Sequence, residues 1–229
     1  MIVWCSDLLW QPLLYYSTDG DNWSNDGGWL KSTNECNRGE SAYDDLKCSQ
    51  ESIFQVLFLS NNNLSGLIPI EISLLTQLNY LTLPRNQLTG SIPSEFGPLT
   101  QLTQLILDNN ELTGIMPSEL ALLAQLTWLI LDDNELTGSI PSELALLTQL
   151  TRLWLIFNEL TGSMPSSLCS AGDLTIYIDC GEIASCTCCR GLSDGGNFQS
   201  CPSPVSSSSS KPTPASLVFL LMVAVHLFE

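Results

Sequence analysis

The side chains best suited to chemistry are aromatic, branched and charged residues that recur at 24-residue intervals along the middle of the chain. This mixture is typical of a binding surface, on which a few large side chains supply most of the affinity. We predict that a partner contacts Phe58, Tyr80, Arg85, Ile106, Asp108, Trp128, Ile130, Asp132, Arg152, Trp154 and Phe157. The alternative is that aromatic and branched residues merely suit strands, and that packing between adjacent strands is their whole role.

Residue types that catalysis commonly needs are scarce. The single histidine, His226, lies in an apolar C-terminal tail, which excludes Ser-His-Asp and Cys-His catalysis and His-ligated zinc. The carboxylates are scattered along a regular ladder, which provides no paired acid and base. We therefore predict that the protein is not an enzyme and uses no cofactor or metal.

The charge of the chain limits its partners. It contains 24 Asp and Glu against 7 Lys and Arg, a formal net charge of -17. An acidic chain would repel a polyanion such as nucleic acid, whose binding requires a basic surface. Nucleic acid is therefore excluded as the expected partner.

The elements that must position these side chains are internal repeats. The pattern L-x-L-x-x-N-x-L-x-G-x-[IM]-P occurs five times with a constant period of 24 residues. Its asparagines are Asn62, Asn86, Asn110, Asn134 and Asn158. Such periodicity predicts a stack of coils, because one coil cannot bury its own leucines but stacked coils can.

Each position of the repeat has an expected role. The L-x-L segment predicts a short strand with both leucines inward and the intervening residue outward. The asparagine amide is expected to satisfy buried backbone groups of neighbouring coils, as a structural ladder. Gly and Pro allow a tight bend and an extended back face, and the P-S-E-L-A-L-L segments predict a short helical turn.

These repeats resemble the plant extracellular type of leucine-rich repeat, found in receptor ectodomains, receptor-like proteins and polygalacturonase inhibitors. The resemblance covers roughly residues 21 to 190. It implies an α/β solenoid: a right-handed coil with a parallel sheet on the concave face, five full 24-residue repeats and caps. It also implies a non-catalytic recognition module that binds a protein, peptide or glycan on that face. An inhibitor of secreted hydrolases and a structural protein of the cell wall or matrix are alternatives.

Cysteines flank the repeats, and their number in a small acidic chain indicates disulfides and an oxidising compartment. The resemblance implies an N-terminal cap over residues 21–52 with a Cys36–Cys48 disulfide, before repeats over 53–178. The segment 179–201 resembles the C-terminal cap of leucine-rich repeat proteins of diatoms and related algae. The C-terminal cysteines are Cys169, Cys180, Cys186, Cys188, Cys189 and Cys201. Three bridges of undetermined pairing are expected, and a thiolate zinc site is the rival interpretation.

The remaining segments concern targeting. Residues 202–216 are rich in Ser and Pro and predict an extended linker, and the apolar tail 217–229 is too short to cross a bilayer. Together they match a lipid-anchor signal with Ser206, Ser207 and Ser208 as candidate attachment sites; a retained apolar tail is the alternative. Residues 1–20 form a weak or truncated signal segment, and Asn22 and Asn63 begin glycosylation sequons. We expect a secreted or cell-surface protein anchored through its C-terminus.

Two further columns have a period of 24 residues. Glutamates recur at Glu71, Glu95, Glu119 and Glu143, and again at Glu111, Glu135 and Glu159. A solvated face is expected there, with bound Ca²⁺ as the alternative. The threonines Thr89, Thr113, Thr137 and Thr161 suggest an ice-binding surface, but they form one column and not a flat array of two.

Overall fold

The computed structural model describes residues 10–24, 46–48, 54–169, 174–179, 188–192 and 198–200. Two α-helices lie near the ends of this part of the chain, α1 (Trp10–Ser17) and α2 (Ser166–Cys169). The strands are β1 (Leu46–Cys48), β2 (Phe54–Phe58), β3 (Ser65–Leu67), β4 (Tyr80–Thr82), β5 (Gln87–Gly90), β6 (Gln104–Ile106), β7 (Glu111–Ile115), β8 (Trp128–Ile130), β9 (Glu135–Gly138), β10 (Arg152–Trp154), β11 (Glu159–Leu160), β12 (Thr175–Tyr177), β13 (Arg190–Leu192) and β14 (Phe198–Ser200).

The L-x-L segments form one long sheet. Its order is β1-β2-β4-β6-β8-β10-β12-β13-β14, and the strands from β2 to β12 are parallel. Each leucine lies opposite its counterpart one repeat away, as in the pairs Leu57 with Leu81 and Leu105 with Leu129. The predicted solenoid of stacked coils is thus confirmed.

A second parallel sheet, which we did not predict, runs along another side of the coils. It has the order β11-β9-β7-β5-β3, built from the x-L-x-G segments that follow each asparagine. At Gly66 the backbone has φ +90°, and a β-carbon would collide with the backbone oxygen of Ser17. Glycine is required there because other residues rarely adopt this conformation and the neighbouring chain leaves no space.

The core is a continuous column of leucines. Leu81, Leu83, Leu105 and Leu107 are fully buried, as the inward positions of L-x-L require. Each fully buried leucine contributes about 1.5–3 kcal/mol before entropy is counted. The coil is closed by short 3₁₀ helices at Ile70–Leu74, Ser94–Phe96, Ser118–Leu122 and Ser142–Leu146. The last two confirm the helical turns predicted for the P-S-E-L-A-L-L segments.

The asparagine ladder joins each coil to the one before it. The amide nitrogen of Asn134 donates to the carbonyls of Leu107 (3.0 Å) and Leu131 (3.1 Å), and its Oδ1 accepts from Leu112 N–H (3.0 Å). The same Leu107 carbonyl also accepts from Asn110 (3.0 Å), so consecutive asparagines share an acceptor. The predicted structural role of this column is confirmed.

A second ladder, of threonines, was missed from the sequence. The Thr127 hydroxyl donates to the Thr103 carbonyl (2.8 Å), and the Thr151 hydroxyl donates to the Thr127 carbonyl (3.1 Å). The signal was present, since threonine recurs at these positions with the period of the repeat. These hydroxyls tie neighbouring coils together just before each strand of the long sheet.

Both ends of the stack are covered. Leu14 of α1 is fully buried, and Trp23 is buried in the same core while its indole N–H donates to the Thr18 carbonyl (2.9 Å). Ser24 N–H donates to the Asn62 carbonyl (3.1 Å), so this segment seals the first coil. Helix α1 begins within the residues 1–20 that the sequence left as a signal segment.

At the other end a disulfide joins Cys169 to Cys188, with Cα atoms 5.3 Å apart. Cys189 is also disulfide-bonded. These bonds favour the disulfide interpretation of the C-terminal cysteines over zinc. Cys180, Cys186, Cys201 and the anchor candidates Ser206, Ser207 and Ser208 lie outside the described residues, as do Cys36 and the side chain of Cys48. Within the described ranges, no helix is both long and apolar enough to span a bilayer.

Candidate functional site

The predicted contact residues lie on one surface, which we call the sheet face: the outward side chains of β2, β4, β6, β8, β10 and β12 and of the residues just after them. In register, Tyr80 neighbours Gln104, Gln104 neighbours Trp128, and Trp128 neighbours Arg152. A second column runs through Phe58, Thr82, Ile106, Ile130 and Trp154. The fold therefore brings the predicted residues together, while their role in binding remains a prediction.

Exposure varies along the sheet face. Phe58, Tyr80 and Phe157 are 38–40% exposed and can be reached by a partner. Ile130 is only 7% exposed because neighbouring side chains cover it, so it offers little surface of its own. Side chains at the centre of the sheet face therefore pack against one another, and the larger side chains provide the surface that a partner can contact.

The largest side chains form a stack that we call the aromatic stack: Trp128, Arg152, Trp154 and Tyr177. The guanidinium carbon of Arg152 lies 4.1 Å from the ring centre of Trp128 and 5.9 Å from that of Trp154. Trp154 meets Tyr177 edge to face, with ring centres 5.3 Å apart. Cation–π and edge-to-face contacts hold these rings in place before any partner arrives.

Tyr177 was missed as a site residue. It occupies the outward position of β12, and its signal was the T-I-Y segment that continues the strand pattern into the cap. In the same cap, Asp179 takes over the acceptor role of the asparagine ladder, accepting from Asn158 N–H at 3.3 Å.

Carboxyl groups lie beside the aromatic stack, at the ends of the strands. Burial raises the pKa of Asp132 to about 8, and the nearby carboxyls of Asp108, Asp179 and Asp133 add to the rise. The hydrogen bond that Asp132 accepts from Ile156 N–H at 3.0 Å opposes it. Burial likewise raises the pKa of Asp108, although the charge of Arg85 opposes the shift. This part of the face therefore holds carboxyl groups that have lost water without gaining full compensation.

Five residues just beyond the strands of the long sheet, one in each repeat, have a left-handed backbone. Asn61, Arg85, Asn109, Asp133 and Phe157 have φ between 50° and 58°. Asn and Asp tolerate this conformation, whereas Arg85 and Phe157 are strained there at a cost of order 1–3 kcal/mol each. Large side chains kept at strained positions often mark functional surfaces, and these two border the sheet face.

The second sheet presents a different surface. Its outward side chains include the threonines, the glutamates Glu111, Glu135 and Glu159, and Leu67, Ser91, Ile115, Ser139 and Ser163. Adjacent strands of this sheet pair with an offset of 22 residues, so Thr89 lies opposite Glu111 and Thr137 opposite Glu159, and the threonines do not form a continuous row. A groove of about 640 Å³ opens at this side between exposed Leu67, Ile70 and Ile115.

The remaining sequence candidates lie apart from the sheet face. Asn22 and Asn63 are exposed near the N-terminal end of the stack, and Asn22 donates to an Asp19 carboxylate oxygen at 2.8 Å. Among the described residues, no three His, Cys, Asp or Glu side chains converge as metal ligands. The chemistry available on the sheet face is therefore that of contact: aromatic surface, guanidinium groups and carboxyl groups.

Stacked coils of this length, with a leucine core and an asparagine ladder, define the class of protein. The model of the family "Leucine Rich Repeat" matches residues 54–75, 77–99, 101–123, 125–147 and 149–171. The chain belongs to the leucine-rich repeat family. A comparison with curated proteins found no match.

Solved structures place the chain near plant proteins. It is 34% identical to a protein in the BIR3–SERK2 complex from Arabidopsis thaliana, covering 71% of this chain and 90% of that chain with a TM-score of 0.56. It is 32% identical to the plant peptide hormone receptor RGFR1 in complex with RGF2, covering 60% of this chain and 24% of the receptor (TM-score 0.54). A plant ice-binding protein is 27% identical, with 76% of this chain and 62% of that protein covered and a TM-score of 0.57.

Proposed function

We propose that this protein is a non-catalytic extracellular recognition module that binds a protein or peptide on its sheet face. The aromatic stack is the observation that carries the proposal, because it combines fixed aromatic rings with an exposed guanidinium. Aromatic and arginine side chains are the usual anchors of protein interfaces. Similar chains include a member of a two-protein complex and a receptor bound to a peptide hormone.

We further propose that the module is secreted and held at the cell surface. The support comes from the sequence: the Ser/Pro-rich segment 202–216 has the composition of a linker and lies between the repeats and the apolar tail 217–229. A tether of this kind would leave the sheet face free to meet a partner. Signalling would then have to pass through that partner.

The first test replaces rings on the sheet face. Tyr80→Ala combined with Trp128→Ala should weaken binding of the captured partner by about 100-fold, because each lost aromatic anchor costs on the order of 1–2 kcal/mol. The wild-type full-length chain is used for affinity capture from an extracellular protein extract. Dissociation constants are then measured with the purified partner.

A matched control removes apolar surface elsewhere. Leu122 and Leu146 are 59% and 68% exposed on the 3₁₀ helices, so Leu122→Ala with Leu146→Ala should leave the affinity unchanged. Equal losses in both double variants would contradict binding on the sheet face. A large drop in the melting temperature of the Tyr80 and Trp128 variant would favour the alternative, in which these rings only pack between coils.

A second candidate function concerns the other sheet. Thr89, Thr113, Thr137 and Thr161 place hydroxyl groups on the outward side of this sheet, and hydroxyl groups can order water. One similar protein is a plant ice-binding protein. Glutamates lie opposite the threonines on adjacent strands and interrupt any regular row of hydroxyl groups, which is why we rank ice binding second.

Ice binding has a direct assay. If the second sheet binds ice, the wild-type chain should inhibit ice recrystallisation, and Thr113→Lys should abolish the effect by placing a long charged side chain in the array. Thr100→Lys adds the same charge at an exposed position outside the second sheet and should retain the activity. Recrystallisation in the presence of wild-type protein would exclude this candidate.

A further inference from the structure

The sheet face is asymmetric across the width of the strands. Trp128 and Arg152 lie where strands begin, whereas Asp108 and Asp132 lie just beyond the ends of strands β6 and β8. A peptide running along the coils would therefore meet aromatic surface on one side and carboxyl groups on the other. Any ligand has to suit both.

The aromatic side already holds a cation. Arg152 places its guanidinium 4.1 Å from the centre of the Trp128 ring, so the surface accepts a positive charge against an aromatic ring. The exposed ring of Tyr80 lies in the same column, two strands from Trp128. Among the described contacts, no cation stacks on it. Aromatic faces of this kind attract Lys and Arg side chains of a ligand.

On the carboxyl side the charge of Arg85 acts on Asp108, but it forms no ion pair with Asp108 or Asp132 within the described residues. Asp132 accepts one backbone N–H, from Ile156, and no ion pair of Asp108 or Asp132 is formed within the described part of the chain. The carboxyl groups of Asp108, Asp133 and Asp179 act on Asp132, and among the residues that the structure describes Arg85 is the one guanidinium whose charge acts on Asp108. The whole chain carries a formal charge of -17, so its long-range field also attracts cations.

We propose that the ligand of the sheet face is an extended basic peptide segment, in which a Lys or Arg side chain lies over Asp108 and Asp132 and a neighbouring apolar side chain packs on the aromatic stack. This inference rests on the proposed function and adds the chemical class of the ligand. The basic side chain supplies the compensation that burial has denied these carboxyls. An acidic segment would be repelled by the same groups.

A display library of linear peptides, selected on the full-length chain at low salt, tests the ligand class. The expected result is a set of binders in which Lys or Arg follows or precedes an apolar residue at a fixed spacing. A synthetic binder and its counterpart, with citrulline for Arg or norleucine for Lys, are then compared. The neutral counterpart should bind about 10-fold more weakly or worse, and the affinity of the basic peptide should fall as salt is added.

Two double variants assign the effect to the carboxyl groups. Asp108→Asn with Asp132→Asn should lose the preference for the basic peptide over its neutral counterpart, and it should fold because asparagine preserves the acceptor for Ile156 N–H. Glu111→Gln with Glu135→Gln removes two carboxyl groups from the exposed second sheet, a change in net charge at least as large, and should keep the preference. Loss of the preference in both would assign it to the overall field and overturn the proposed contact.

The outcomes separate the two proposals. Binders that lack basic residues but lose affinity with Trp128→Ala would overturn the cationic ligand and leave sheet-face recognition standing. Acidic binders would overturn it in the same way. A library that yields no binder sensitive to Trp128→Ala or to the aspartate substitutions would overturn this inference, whereas the proposed function is overturned if Tyr80→Ala with Trp128→Ala leaves binding of the captured partner unchanged.

Discussion

Replacing Asn134 with alanine should lower the free energy of unfolding by about 3 kcal/mol, since each buried backbone group left unpaired costs on the order of 1–3 kcal/mol. The side chain bonds Leu112 N–H and the carbonyls of Leu107, Leu131 and Asp132. Alanine removes all of these bonds. Leu107 and Leu131 retain a bond from a neighbouring asparagine, so the orphaned Leu112 N–H dominates the loss.

Equilibrium unfolding in urea measures this effect. Gln125→Ala is the control, because Gln125 is an exposed amide in a turn and its loss should change stability by less than about 0.5 kcal/mol. Because each coil of a repeat protein is stabilised by its neighbours, the Asn134 variant should also unfold less cooperatively. Equal stability of the two variants would refute the view that the ladder holds adjacent coils together.

Between pH 4 and pH 8, Asp132→Asn should become progressively more stable than the wild type, by about 1.4 kcal/mol for each pH unit. In the folded protein, burial and neighbouring carboxyls raise the pKa of Asp132 from 3.8 to about 8. The unfolded chain therefore loses this proton near pH 4, whereas the folded chain keeps it up to about pH 8. The wild type is thus destabilised as the pH rises through this window, and asparagine removes the effect.

Thermal or chemical unfolding of the wild type and the variant at several pH values checks this prediction. Asparagine preserves the acceptor for Ile156 N–H, so the two proteins should be nearly equally stable at pH 4. Glu135→Gln removes one carboxyl from an exposed position and should follow the wild type throughout. A constant difference between Asp132→Asn and the wild type across the range would show that Asp132 ionises normally in the folded protein.

Much of the fold follows from the sequence because the repeat has a constant period. The inward leucines, the parallel register of Leu57 with Leu81, and the asparagine ladder all depend on residue type and spacing alone. The outward columns of the long sheet could also be read directly, because side chains alternate across a strand. The second sheet could not be predicted in this way, since its strands are as short as two residues and lack an apolar alternation.

The sequence by itself determined the stacked coils, their core and the rows of side chains on the sheet face, since a strict period repeats the same local interactions. Only the tertiary structure decided how those rows interact. Arg152 stacks on Trp128, and Tyr177 of the cap contacts Trp154 edge to face. Neighbouring side chains bury Ile130, and burial raises the pKa of Asp132. These properties depend on how side chains from different coils fill the space between them, and spacing along the chain contains no information about that filling.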